Sequence, residues 1–448
     1  MSRIAALAAL LVALLAGPAA ASPAEHTCGR RRATIVGTPG DDVIRGTAGK
    51  DVIVGLGGDD VIKGLKDRDA VCGNGGHDTL YGNTERDRLG NIGGPGQRVI
   101  GGRGDDTLYS GFQAVMRGGP GDDELVIDGN FAVAYGGPGD DHLDASAEGA
   151  GAYLGGGFGN DVLEGSPGPG HVITFHGANE PVTVDLEAQT VAGHGRDTMV
   201  GIDDAIGGDF DDSIAGTDEP NFLVGGGGSD LVEGRGGDDV LRGESFEEPE
   251  GMDQLFGGDG DDMLQPDLNG AADDLVDGGA GTDTYDAFLS PSTVDLSTGT
   301  TSGKVGNDEV TGVENVLGAG YADTLIGDDG PNVLTGQGGR DTIDGRGGDD
   351  VILGESGPGA RSYTEPDEDT IRGGDGDDVI TSEGGADEID AGAGNDDVNS
   401  GRGDDSISGG DGDDTLNGSE GTDDVDGGPG NDSCTNGEST TACEGPAP

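Results

Sequence analysis

Aliphatic residues recur along this chain every nine positions, each two residues after an aspartate and set among glycines and polar residues. In the C-terminal run the nine-residue frames open at Gly373, Ser382, Ala391, Ser400, Gly409, Gly418 and Gly427. Their eighth positions are Ile380, Ile389, Val398, Ile407, Leu416, Val425 and Cys434, and their sixth are Asp378, Asp387, Asp396, Asp405, Asp414, Asp423 and Asp432. The pattern reads Gly-Gly-x-Gly-x-Asp-x-(apolar)-x. One apolar residue between polar neighbours predicts a very short strand over positions 7 to 9, with position 8 inward and its neighbours outward. A unit this small cannot bury its own apolar face, so the repeat predicts a stacked solenoid.

The same pattern opens the chain. Frames begin at Gly37, Gly46, Gly55, Gly64, Gly73 and Gly82, with Asp42, Asp51, Asp60, Asp69, Asp78 and Asp87 at position 6. The frame at Gly82 has lost its central glycines, which predicts a weak turn. From Gly101 the motifs begin 17, 18 and 20 residues apart, with Asp106, Asp123, Asp141 and Asp161 at position 6. Two frames make 18 residues, so each step predicts one complete coil with an aspartyl turn on one edge only. The middle of the chain is duplicated: Gly201–Glu244 aligns without gaps on Gly312–Glu355, 21 of 44 residues being identical. Position 6 is Asp212, Asp230 and Asp239 in the first copy and Asp323, Asp341 and Asp350 in the second, with Asn221 and Asn332 interrupting each, while Asp262 and Asp283 hold position 6 in frames between the two. Glu248-Pro249 and Glu365-Pro366 mark an insertion after each copy. Segments 166–206 and 287–317 lack the motif and are expected to be strand-and-loop insertions or caps. The expected division is 1–21, 22–164, 165–264, 265–372 and 373–444.

Composition narrows the chemistry. Of 448 residues, 97 are glycine and 31% hydrophobic; 89 acidic against 23 basic side chains give a formal charge of −66. Such a charge argues against nucleic acid or an anionic membrane and for cations as partners. Glycine-rich acidic composition alone would read as disorder, but disordered tracts need no nine-residue register. Glycine turns expose backbone carbonyls, and calcium takes six to eight oxygens from carbonyls and carboxylates. The position-6 aspartates, Asp42 through Asp432 as given above, with Asp87 set aside for its weak frame, are therefore the candidate ligands. Aspartates at position 5, such as Asp41, Asp404 and Asp413, are expected to be solvated charges, and His171, His176 and His194 surface residues. The chain carries no zincin, nucleophile-elbow or complete phosphate-loop motif.

Met1–Ala21 has the charged start, apolar stretch and small-residue end of a secretory signal, and no later segment is long and apolar enough for a membrane span. Four cysteines suit an oxidising compartment. Three pairings are open; Cys28–Cys72 with Cys434–Cys443 is preferred because each bridge would pin one end of a solenoid.

The repeats resemble those of the RTX (repeats-in-toxin) family. Gly427-Gly-Pro-Gly-Asn-Asp-Ser-Cys434 and Ala33-Thr-Ile-Val-Gly-Thr38 are similar to the ends of secreted actinobacterial members. The resemblance implies an all-β fold, a right-handed parallel β-roll interrupted by two short non-repeat insertions. It also implies that frames n and n+2 share a calcium ion: Asp378 with Asp396, Asp387 with Asp405, Asp42 with Asp60, Asp51 with Asp69. The N-terminal signal departs from members exported by an uncleaved C-terminal one, so toxin activity does not carry over. The expectation is a secreted, extracellular, non-catalytic protein that binds multiple Ca2+ and folds on binding. A calcium-stiffened adhesin or polysaccharide-binding protein is the alternative. A calcium-dependent enzyme or toxin is disfavoured, because the repeats leave no room for a catalytic domain.

Overall fold

A computed structural model describes residues 26–443, apart from 29, 77, 85–86, 91–97, 111–112, 128–130, 148–150, 167–169, 194, 245–250, 267–271, 288–290, 305, 356–366 and 438. The signal-like segment 1–21, His194 and both Glu-Pro insertions lie outside the described residues. Those described form short strands and turns without a helix, so none contains a helix long and apolar enough to cross a membrane. The chain forms two compact units, one from residues up to Thr174 with Gln189–Ile202, the other from Phe175–Ala188 with Asp203 onward.

In the first unit, parallel strands stack into two sheets. One sheet sets Ile44 opposite Ile62, then Leu80, Val99, Met116, Ala134 and Leu154 coil by coil. The other carries Ile53, Val71, Leu89, Leu108, Leu125, Leu143 and Leu163. Every one of these side chains is buried. The second unit repeats the scheme, with Ile343, Ile371, Ile389, Ile407 and Val425 in one sheet and Leu334, Ile352, Ile380, Val398 and Leu416 in the other. Position 8 of every second frame thus lies in one column, and burying each aliphatic contributes about 1.5–3 kcal/mol. The result is a parallel β-solenoid of the expected class.

In the C-terminal run strand length differs from expectation on one sheet. Val379–Thr381, Asp397–Asn399 and Thr415–Asn417 are the three-residue strands that positions 7 to 9 predict. Thr370–Asp375, Glu388–Ala393 and Ser406–Asp411 run on through position 3 of the next frame. They do so because the glycine turn itself pairs with the coil below, as Gly374 with Gly392 and Asp375 with Ala393.

The segments without motif are woven into the stack rather than capping it. Ser292–Asp295 pairs in parallel with Thr324–Ile326 and folds back antiparallel on Thr300–Gly303, burying Val294. Thr183–Asp185 pairs in the same way with Ser213–Ala215. His171 is not a surface residue as expected: it is 3% exposed. Its Nδ1 accepts from the Ala152 amide and its Nε2 meets the amide and hydroxyl of Ser166. His176 is exposed.

Both preferred disulfides form, Cys28–Cys72 and Cys434–Cys443. Cys28 lies in a two-stranded antiparallel ribbon, Thr27–Cys28 with Arg31–Arg32, and packs with Ala33, Val54, Ala70 and Cys72. The bridge spans 44 residues, a closure that stabilises by about 4 kcal/mol on loop entropy. Replacing both Cys28 and Cys72 by Ser should therefore lower the denaturant midpoint of the first unit while leaving the second unchanged. Hydrogen exchange resolved by peptide measures this, and uniform protection in wild type and variant counts against it.

Candidate metal-binding turns

Position 6 follows directly from the stacking. An aspartate two residues before an inward aliphatic sits where the chain leaves the turn, with its backbone amide facing the coil below. That amide donates to the carboxylate of the next aspartate in the column. Asp42 N–H reaches Asp60 Oδ1 at 2.9 Å, Asp60 reaches Asp78 at 2.9 Å, and Asp51 reaches Asp69 at 2.9 Å. The C-terminal columns run Asp350, Asp378, Asp396, Asp414, Asp432 and Asp341, Asp369, Asp387, Asp405, Asp423. The partners are 18 residues apart where frames are regular. The same bond forms from Asp106 to Asp123 across 17, from Asp141 to Asp161 across 20, and from Asp239 to Asp262 across 23. Frames n and n+2 therefore lie on one edge, a coil apart.

This bond satisfies Oδ1 only. Oδ2 has no hydrogen-bond partner and is buried in Asp60, Asp69, Asp123, Asp141, Asp161, Asp230, Asp239, Asp262, Asp283, Asp341, Asp350, Asp378, Asp396, Asp405, Asp414 and Asp432. Apart from Asp396 and Asp405, whose frames open with Ala391 and Ser400, each such oxygen points to the space that the position-1 glycine leaves open. A Cβ on Gly136 would lie 2.3 Å from Asp141 Oδ2 and 2.5 Å from the Gly156 carbonyl of the next coil. A carboxylate oxygen and a carbonyl oxygen thus converge there with no donor between them. Burial is the chief force on most of these groups, with neighbouring carboxylates adding to it. It pushes Asp230 and Asp341 up to about 8, Asp123, Asp141, Asp161, Asp239 and Asp350 to about 7, and Asp60, Asp69, Asp283, Asp378 and Asp396 to about 6. A buried oxygen lacking a donor costs about 1–3 kcal/mol or more when charged, and a hard cation is the partner such oxygens suit. Among the described residues no three His, Cys, Asp or Glu side chains gather into a metal cluster. The remaining ligands would therefore be backbone carbonyls.

Six turns differ. At the start of each run of frames, the position-2 amide donates to position 6 of its own frame. Thr38 N–H reaches Asp42 Oδ2 at 2.5 Å, Thr47 reaches Asp51 at 2.5 Å, Gly208 reaches Asp212 at 2.6 Å and Ala319 reaches Asp323 at 2.8 Å. Asn221 and Asn332 accept likewise from Thr217 and Asp328 at 2.7 and 2.8 Å. Their side-chain amides donate to the Asp203 and Glu314 carbonyls at 2.7 Å. In these self-capped turns the carboxamide does what the carboxylate does elsewhere. The remaining turns escape capping through backbone sign. Position 2 takes positive φ at Gly119 (115°), Gly374 (120°) and even at Leu56 (92°), Leu65 (92°), Arg235 (79°) and Gln337 (78°). That flip turns the amide outward to the next coil, as from Gly119 to the Gly136 carbonyl at 2.8 Å. A non-glycine residue held there costs about 1–3 kcal/mol, so the open turn is maintained against strain.

Several column members escaped the sequence reading. Asp253, Asp274 and Asp308 continue the column below Asp230, and Asp369 joins Asp341 to Asp387. Asp87, set aside for its frame, accepts from Asp69 at 2.8 Å and donates to Asp106 at 2.6 Å. Their glycines are lost or displaced, but the Asp-x-(apolar) remnants Asp253-Gln-Leu255, Asp274-Leu-Val276 and Asp369-Thr-Ile371 survive and could have found them. Asp308 ends its column with side-chain donors, Tyr285 Oη at 2.6 Å and Thr301 Oγ1 at 2.9 Å. Position-5 aspartates are exposed as expected, yet they also accept from the next coil: Asp41 from the Asp59 amide, Asp404 from Thr422 and Asp413 from Asn431, at 2.8–3.0 Å.

Comparison with known proteins agrees with this geometry. The family model for the RTX calcium-binding nonapeptide repeat matches residues 36–71, 73–89, 93–114, 206–243, 250–265, 270–287, 317–357, 363–398 and 399–434, more than half of the chain. No curated protein matches it.

Proposed function

The chain belongs to the RTX calcium-binding nonapeptide repeat family, and we propose that its open turns each hold Ca2+ between successive coils, so that ion binding and folding are one event. The carrying observation is the column of buried Oδ2 atoms without a donor. Position-6 aspartates of frames n and n+2, such as Asp378 with Asp396 and Asp387 with Asp405, would be the shared carboxylate ligands, with turn carbonyls completing the shell. Asp253, Asp274 and Asp369 join the candidate set. Asp42, Asp51, Asp212 and Asp323, whose second oxygen is already bonded, are demoted from ligands to caps. Calcium, when bound, neutralises neighbouring carboxylates and supplies the ligand bonds that buried oxygens lack. The rest is the chain's own work: glycines bring carbonyls close, positive φ at position 2 frees the carboxylate, and the aliphatic columns hold successive turns in register.

The signal-like Met1–Ala21 and two disulfides support export to an oxidising, calcium-rich exterior. A structural or interaction role rather than catalysis is supported by how much of the described chain the stacked coils take up. Equilibrium dialysis of the protein against chelator-cleaned buffer with millimolar calcium should recover several ions per chain. Recovery of none would overturn the proposal.

A further inference from the structure

Charge is unevenly divided along this acidic chain. From Ser22 to Arg117 there are 13 basic and 13 acidic residues, whereas the remainder after Arg117 has 9 basic and 76 acidic. The stacking gathers several of the basic residues onto one face of the first unit. On the sheet of Ile44, Ile62, Leu80, Val99, Met116 and Ala134, the two outward columns run in register from Val43 to Tyr153 and from Arg45 to Tyr135. They carry Arg45, Lys63, Arg98 and Arg117 with Tyr81 and Tyr135; the other positions are Val, Ile or Thr as far as Tyr153, and none is acidic. Lys63 Nζ sits 4.8 Å from the Tyr81 ring centre and the Arg117 guanidinium 5.7 Å from that of Tyr135. Val43 is 81% and Tyr153 39% exposed. The opposite sheet of the same unit sets Arg88 over Tyr109 but also presents Glu124, Asp144 and Glu164 outward, so only the first face is free of acidic side chains along these columns.

We infer that this face docks an extended anionic polysaccharide, its acidic groups on the Arg and Lys side chains and its sugar rings on the tyrosines and valines. Complementary charge selects the sign of the partner, and the shape of the face selects a thin polymer. Two columns stand about 7 Å apart along the strand, and six coil steps of about 4.8 Å give about 29 Å of length. That strip, on the order of 200 Å2, falls well short of the about 800 Å2 per partner that a stable protein interface buries. A single polymer chain needs no more width than this, and repeated contacts along its length supply the affinity. The face exists only while the first unit is folded, so the inference rests on calcium-dependent folding, and the two fail separately in the test below.

Calcium-loaded full-length protein would be titrated calorimetrically with a hyaluronan oligosaccharide, a neutral dextran of similar length and oligothymidylate. The same titrations would be run on the double variant Arg98→Glu, Arg117→Glu and on Arg372→Glu in the second unit. Far-UV circular dichroism with and without calcium checks folding of each. Expected are binding of hyaluronan over dextran, a loss on the order of tenfold in the double variant, and no change in Arg372→Glu. Equal binding of dextran, an unaffected double variant, or tighter binding of oligothymidylate would each overturn the inference. So would no binding of any probe by protein whose calcium-induced strand signal is intact. A missing strand signal would instead overturn the calcium reading beneath it.

Discussion

Calcium-stripped protein at about pH 8 loses most of its strand signal, and acidifying it towards pH 4.5 without any metal brings that signal back. The first half follows from burial. At pH 8 the metal-free fold must hold columns of carboxylates whose second oxygen has no donor, one coil apart. The second half follows from linkage. Burial raises the folded carboxyls of Asp230 and Asp341 to about 8, and those of Asp123, Asp141, Asp161, Asp239 and Asp350 to about 7, from about 3.9 in an unfolded chain. A raised folded value means that the folded state binds protons more tightly. The stability it contributes is full below about pH 4 and is lost as pH rises through about 6 to 8. Protons and calcium thus relieve the same defect from opposite ends of the pH scale. Circular dichroism of calcium-free and calcium-loaded protein at three pH values decides this. A metal-free strand signal that persists at pH 8, or one that fades on acidification, contradicts it.

Asp396→Ala weakens calcium-dependent folding strongly, while Asp51→Asn leaves it nearly unchanged. Asp396 lies mid-column, accepts the Asp378 amide at 2.9 Å and keeps Oδ2 buried without a donor. Its removal strips the buried Asp378 amide of its acceptor, about 1–3 kcal/mol, and deletes a carboxylate facing two successive turns. The calcium midpoint should rise several-fold and the transition should lose steepness. Asp51 accepts the Thr47 amide through Oδ2, as Asn221 and Asn332 accept theirs through a carboxamide, so asparagine reproduces the bond. Calcium titrations of both variants by circular dichroism test the pair. Equal shifts would erase the distinction between open and self-capped turns.

The nine-residue period reveals the aliphatic columns, the 18-residue coil and the main aspartate columns, because spacing alone sets which residues stack. What it hides depends on backbone sign and on contacts across insertions. Nothing in Gly-Thr-Pro-Gly-Asp-Asp42 announces that the Thr38 amide turns inward, whereas Gly-Leu-Gly-Gly-Asp-Asp60 holds Leu56 at φ 92° and turns its amide away. A non-glycine second position was therefore no guide on its own. Asp253, Asp274 and Asp369 lack the full set of glycines directly upstream, while the stack demands only a carboxylate two residues before a buried aliphatic. His171 reads as a surface residue and is instead held inside by Ala152 and Ser166. The position-5 aspartates looked like mere solvation and also tie coil to coil, a role invisible without the third dimension.

The amide-to-carboxylate bond is 2.9–3.0 Å long whether 18 residues separate its partners, as at Asp60 and Asp78, or 28, as at Asp350 and Asp378, or 34, as at Asp274 and Asp308. Assembly therefore recognises the neighbour in space and is indifferent to the number of residues between the two partners. Foreign peptides spliced between Glu244 and Gly251, or between Glu355 and Asp367, should leave the register of the flanking coils unchanged. The same indifference lets a block of about 110 residues be copied whole into the array, since its first carboxylates, Asp212 and Asp323, take the amides of Val182 and Ser292 in equivalent fashion.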